Sequence, residues 1–143
     1  MPRLAIFNMM FGFLVLAIAA ASGAFVASEI TTGYLSDPAL INAWDALLRR
    51  AAHGHANLFA MIHVLFGLTI PYSRLSTRVK QLQTVGLMLG TVAMGIGLLV
   101  RGAVGPSASL DIVEIAIGGA LTLALFAVAS HAYGLGAKMM ARP

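Results

Sequence analysis

Four apolar segments, each roughly 20 residues long, dominate this sequence and leave few folds open to it. A helix takes about 20 residues to cross about 30 Å of hydrocarbon, and segments near 4–27, 53–71, 82–100 and 112–134 each meet that length. Only 10% of the 143 residues are charged, against about 25% in a soluble domain. The expected fold is therefore all-α, a single integral-membrane four-helix bundle over residues 1–143. The run AIAAASGA at 17–24 offers the small residues of a signal-peptide cleavage site; the first segment is counted here as a span all the same.

Charge orients the bundle. With the N-terminus inside, the cytoplasmic side carries Arg3, Arg74, Arg78, Lys80, Lys138 and Arg142 and no acid. The outer side carries Arg49, Arg50 and Arg101 together with all five acids: Glu29, Asp37, Asp45, Asp111 and Glu114. This asymmetry satisfies the positive-inside rule, so both termini are expected in the cytoplasm.

The first external connection, DPALINAWDALLRR, reads as a helix start with Asp37 at the N-cap and Pro38 at the first helical position. Leu40, Ile41, Trp44, Leu47 and Leu48 then form one apolar stripe, which suits an amphipathic helix lying on the outer surface. The other reading is that it runs on into the second span, because nothing breaks the helix before Gly54. Gly86, Gly90, Gly95 and Gly97 in the third span, with Gly118 and Gly119 in the fourth, are expected where helices approach closely.

Three of the four histidines fall in one apolar run, the second span. His53 sits at its outer boundary, His55 about 3 Å deeper and His63 roughly 15 Å below His53. At about 100° per residue, His53 and His55 point to nearly opposite sides of the helix. His53 and His55 read either as interfacial polar residues or as ligands. An ionisable group at the depth of His63 faces the bundle interior with a partner. It is read as a ligand or proton-handling group, the alternative being a hydrogen bond to a Ser, Thr or Asn of a neighbouring helix. His131, near the inner end of the fourth span, reads as a snorkelling side chain.

At the outer level, Asp111 and Glu114 suit helix capping and also the orienting of a ligating imidazole. Arg49, Arg50 and Arg101 suit interface anchoring and also the propionates of a heme. Met61, Met88 and Met94 read as packing or as thioether ligands. The chain has no cysteine, which excludes disulfides and thiolate sites. It holds no H-E-x-x-H, nucleophile elbow or phosphate loop, and no basic stripe for nucleic acid. Imidazole without thiolate in a dry bundle favours heme iron, copper or non-heme iron over structural zinc.

HGHANLFAMIHVLFGLTIP, residues 53–71, resembles the His-x-His, then Asn/Gly-Leu-Phe/Gly pattern in the catalytic subunit of heme–copper oxidases and bacterial nitric oxide reductases. The chain is also similar to a family of small four-span bacterial membrane proteins with His-x-His opening the second span and Val-Arg-Gly ending the third, here Val100, Arg101 and Gly102. The oxidase subunit arranges twelve helices as three arcs of four, so the resemblance implies one such arc per chain and a homotrimer. It implies that His53 and His55 are the H-x-H pair facing hemes or a metal, with no counterpart for His63. The oxidases' adjacent-histidine copper loop and His–Tyr crosslink motif are missing, which argues against full oxygen reduction.

The expected function is heme b binding in the outer half of a bacterial inner membrane, through second-span histidines. It serves electron transfer, with a redox partner protein, or the binding of a diatomic gas, O2 or NO. The cofactor site is expected from His53, His55, His63, Arg49, Arg50 and Arg101. The alternatives are a copper or non-heme iron site from His53, His55, His63 and Glu114, and a cofactor-free scaffold of a respiratory complex.

Overall fold

A computed structural model describes residues 2–140, and Arg142, one of the expected inner basic residues, lies outside them. Four helices are long and apolar enough to cross a membrane. They are α1 (Arg3–Ser36), α2 (Trp44–Thr69), α3 (Thr77–Val104) and α4 (Ile112–Met140). Each is longer than its expected span, because the polar ends excluded by a hydropathy argument still satisfy their backbone hydrogen bonds inside the helix.

Local chemistry sets the ends. Asp37 caps as expected, its carboxylate accepting from the Ala39 N–H at 2.9 Å. The helix that follows is only a 3₁₀ turn, Pro38–Asn42, after which Ala43 is extended and α2 begins at Trp44. The expected stripe is thus divided, with Leu40 and Ile41 in the turn and Trp44, Leu47 and Leu48 in α2. Ser76 caps α3 through the Val79 N–H, and Asp111 caps α4 through the Glu114 N–H. Gly105, at φ 86°, turns the chain out of α3 in a region that side chains disfavour.

Neighbours in the chain pack on one another: α1 on α2, α2 on α3 and α3 on α4. α1 and α4 do not pack together, so the bundle is an open arc with α1 and α4 at its two ends. The antiparallel order gathers Arg3, the 73–76 turn and Lys138 at one end, and the Pro38–Asn42 turn, Arg101 and Asp111 at the other.

Without a strong hydrophobic force between helices in lipid, close packing has to hold the arc. A Cβ on Gly12 would lie 2.6 Å from the Ala60 carbonyl, and one on Gly67 would lie 2.6 Å from the Ala5 carbonyl. α1 and α2 therefore touch backbone to backbone at two levels. Gly86 does the same for α3 against the Leu123 carbonyl of α4, and a Cβ on Gly90 would overlap the Ala124 methyl and the Phe59 ring. Gly118 and Gly119, expected at a close approach, face open space.

Gly12→Leu should separate α1 from α2 and lower stability by about 3 kcal/mol, at the upper end of overpacking costs. Gly118→Leu should leave the monomer's fold unchanged. Thermal unfolding of both variants in one detergent checks the contrast.

Candidate functional site: the imidazoles of the second span

α2 delivers its three imidazoles to three different environments. His63 is fully buried, and both of its nitrogens are engaged. Nδ1 donates to Asn8 Oδ1 of α1 at 3.0 Å, and Nε2 lies 3.1 Å from the Thr91 hydroxyl of α3. Asn8 cannot be turned over, because its Nδ2 donates to the Leu4 carbonyl at 2.9 Å and to Thr84 Oγ1 at 3.0 Å. The neutral ring therefore carries its proton on Nδ1, and Nε2 competes with the Leu87 carbonyl, 2.8 Å from Thr91 Oγ1, for the one hydroxyl proton of Thr91. The Phe11 ring closes the site edge-on, 4.7 Å between centroids. This is the hydrogen-bonded alternative set against a ligand role for His63, with Asn and Thr as the partners.

His53 lies between α1 and α2 and is half-buried. Its Cε1 edge packs on Gly23, where a Cβ would come within 2.9 Å. Asn57 Nδ2 donates to the His53 carbonyl at 3.0 Å and reaches His53 Nε2 at 3.3 Å. The carbonyl fixes the amide's orientation, so Nε2 is the acceptor and Nδ1 carries the proton. His53 Nδ1 is buried with no partner.

His55 is half-buried at the edge of the exposed face of α2, about 100° around from Gly54. Its Nδ1 donates to the Ala51 carbonyl at 2.7 Å. That bond fixes the ring and leaves the Nε2 lone pair as the remaining nitrogen, with no protein partner among the described residues. A Cβ on Gly54 would meet nothing, so the helix surface beside His55 is flat. A backbone carbonyl on one nitrogen and a free lone pair on the other is the arrangement that prepares an imidazole to ligate a metal.

The arginines also separate. Arg101 is buried and held by Glu114 at 2.6 Å, by Asp111 at 3.9 Å and by the Gly105 carbonyl. Its guanidinium sits 5.1 Å from the centre of the Trp44 ring, whose Nε1 donates to the Arg101 carbonyl at 3.2 Å. This knot joins α2, α3 and α4, and it engages both Arg101 and Glu114. Arg49 is shared between Glu29, at 2.6 Å, and Asp45. Arg50 donates to the Ile41 carbonyl at 2.6 Å and, among the described residues, has no carboxylate partner.

The expected residues are therefore not gathered at one point. Among the described residues no three His, Asp or Glu side chains lie together as metal ligands. His53 and His55 stand on opposite flanks of α2, and Glu114 belongs to the Arg101 knot. His131 does not snorkel. It is buried, with Nε2 2.9 Å from Thr69 Oγ1 and its ring 4.3 Å from the centre of Phe66. Met94 is packed in the core and Met61 is exposed. Two features escaped the sequence reading. Asn8, a lone polar residue in an apolar span, was the available signal for the His63 network. The π-helical turn Ala93–Gly97 inside α3, closed by the Leu98 N–H on the Ala93 carbonyl, left no signal beyond its glycines.

The site and fold define a class: an all-α protein with four helices long and apolar enough to cross a membrane, the second of which carries an imidazole with one nitrogen on a backbone carbonyl and the other without a partner among the described residues. No family model matches the sequence, and neither a curated protein nor a solved structure does.

The His63 network predicts strong coupling across helices. Asn8→Ala and His63→Ala should each cost about 1–3 kcal/mol, the penalty for leaving buried partners unpaired. The double variant should cost less than their sum. Equilibrium unfolding in mixed detergent, run as a double-mutant cycle, measures the difference.

Proposed function

We propose that the protein binds heme b in the outer half of a bacterial cytoplasmic membrane and acts in electron transfer or in binding a diatomic gas. Both termini face the cytoplasm, and the Pro38–Asn42 turn lies at the outer surface. His55 would hold the heme iron through Nε2. One observation carries this reading: of the four imidazoles, His55 alone has one nitrogen locked by a backbone carbonyl and the other free of protein partners.

The donor set around it suits a porphyrin. Gly54 gives the macrocycle a flat approach, and Leu58 and Met61 continue an exposed apolar stripe below it. Arg50 lies about 40° from Gly54 on the same side of α2 and is the outer-level arginine without a carboxylate partner, so it serves the propionates. A bound heme supplies a redox-active iron. His55 would hold it, with the Ala51 carbonyl keeping the ring in the tautomer that can bind and the stripe keeping water away. Arg49, Arg101 and His63 act in the scaffold that positions α2.

The site faces outward from the chain. α2 is an inner member of the arc, yet Leu47, Leu58, Met61, Leu65 and Leu68 along this face are exposed. A homo-oligomer, with a trimer favoured by the resemblance to three arcs of four, covers that face and closes the heme site. A heme held there would supply a redox-active iron for electron transfer or for binding a diatomic gas.

Protein purified from heme-replete cells should show a Soret band that His55→Ala abolishes and His63→Ala, if it folds, retains. Arg50→Gln should weaken hemin affinity by about tenfold, the loss of one charge-assisted contact. A colourless wild-type preparation that also fails to take up hemin would favour the cofactor-free scaffold. Metal found without porphyrin would favour a copper or non-heme iron site.

A further inference from the structure

The turn between α2 and α3 packs on α4 at the end of the bundle that carries Arg3, Arg74, Arg78, Lys80 and Lys138, while the chain's five side-chain carboxylates sit at the other end. Ser73 is buried in that turn with its hydroxyl against Gly134, where a Cβ would overlap it. The Arg74 N–H donates to the Gly134 carbonyl at 3.1 Å. Inside α4 the same carbonyl accepts from the N–H four residues on, which is that of Lys138. Two N–H groups on one carbonyl bring the backbone nitrogens of Arg74 and Lys138 within about 6 Å of each other.

Both side chains are exposed, and among the described residues neither has a carboxylate partner. Lys80 adds a third charge from behind the turn: it is half-buried, and its Nζ donates to the Ser73 carbonyl at 2.8 Å. Like charges gathered around one turn repel, and screening over about 8 Å at physiological salt relieves this only in part. An anion between Arg74 and Lys138 removes the repulsion and occupies their donors. The level of the turn decides which anion. Tyr72, just before it, and Tyr133, next to Gly134, are exposed, and tyrosine rings collect at the headgroup level of a bilayer. Leu68 and Phe126, one to two turns deeper, are exposed and apolar, a surface for acyl chains.

We propose that Arg74 and Lys138 hold the phosphate of an anionic phospholipid, with Lys80 adding positive charge behind it. The guanidinium offers a planar fork to two phosphate oxygens and the ammonium a point charge to the third. This rests on the reading that the four helices cross a bilayer. It is independent of the heme assignment, since His55 lies toward the other end of α2.

The test uses full-length protein stripped of lipid in a non-ionic detergent. It is titrated with dioleoylphosphatidylglycerol and separately with dioleoylphosphatidylcholine, which has the same chains and a zwitterionic headgroup, and native mass spectrometry counts the lipids bound. One phosphatidylglycerol per chain should bind at least about tenfold more tightly than phosphatidylcholine, the loss of two basic contacts being enough for that ratio. Arg74→Gln and Lys138→Gln, which keep the backbone bonds, should each weaken phosphatidylglycerol about fivefold, the worth of one basic residue at an anionic surface. Both should leave phosphatidylcholine unchanged. Arg3→Gln, at the same end but on α1, should change neither lipid by more than about twofold, because a diffuse field rather than a contact is lost. Inorganic phosphate should not displace the lipid. Equal affinity for the two lipids, full phosphatidylglycerol affinity in both Arg74→Gln and Lys138→Gln, an equal loss in Arg3→Gln, or displacement by inorganic phosphate would overturn the proposal.

Discussion

Hydrocarbon offers no hydrogen bonds, so each polar group placed in it must find a partner within the protein. The Asn8–His63–Thr91 network meets that demand and in doing so ties three helices together at one depth. Asn8 reaches on to Thr84, so the tie between α1 and α3 passes through a single side chain where the two helices otherwise barely touch. The glycine contacts at Gly12 and Gly67 set how near α1 may come to α2; the network sets the register at which it stops.

The same accounting separates the histidines by what each can still do. His63 is wholly buried with Asn8 against one nitrogen and Thr91 against the other, so despite its depth it has no face open to a ligand. His53 retains a proton without an acceptor, and His55 retains a lone pair without a donor. Two residues apart on one helix, they present opposite hydrogen-bonding deficits on opposite flanks. That is the physical content of an H-x-H pair at about 100° per residue.

Much of the fold was legible in the sequence, because length and apolarity alone decide what crosses a bilayer. The cap at Asp37 and the capping pair Asp111–Glu114 were legible too, being local in sequence. The stripe from Leu40 to Leu48 misled because helical spacing cannot register the extended residue Ala43 that divides it. The candidate site was less legible. Spacing gave the directions of His53 and His55, but which nitrogens are free depends on Asn57, Ala51, Asn8 and Thr91, of which two lie on other helices. Arg101 and Glu114 were placed at one level by the sequence; that they neutralise each other is a fact of tertiary structure.

The central claim is that hydrogen bonding leaves His55 as the one imidazole of α2 with an unprotonated nitrogen free to ligate. ¹⁵N NMR of the imidazoles in lipid, before and after adding hemin, tests it most directly. The account predicts an unprotonated, weakly bonded Nε2 on His55 whose signal is lost to the iron on addition, with the two His63 nitrogens hydrogen-bonded and unmoved. A His55 ring protonated on Nε2, or hemin acting on His63 in its place, would contradict it.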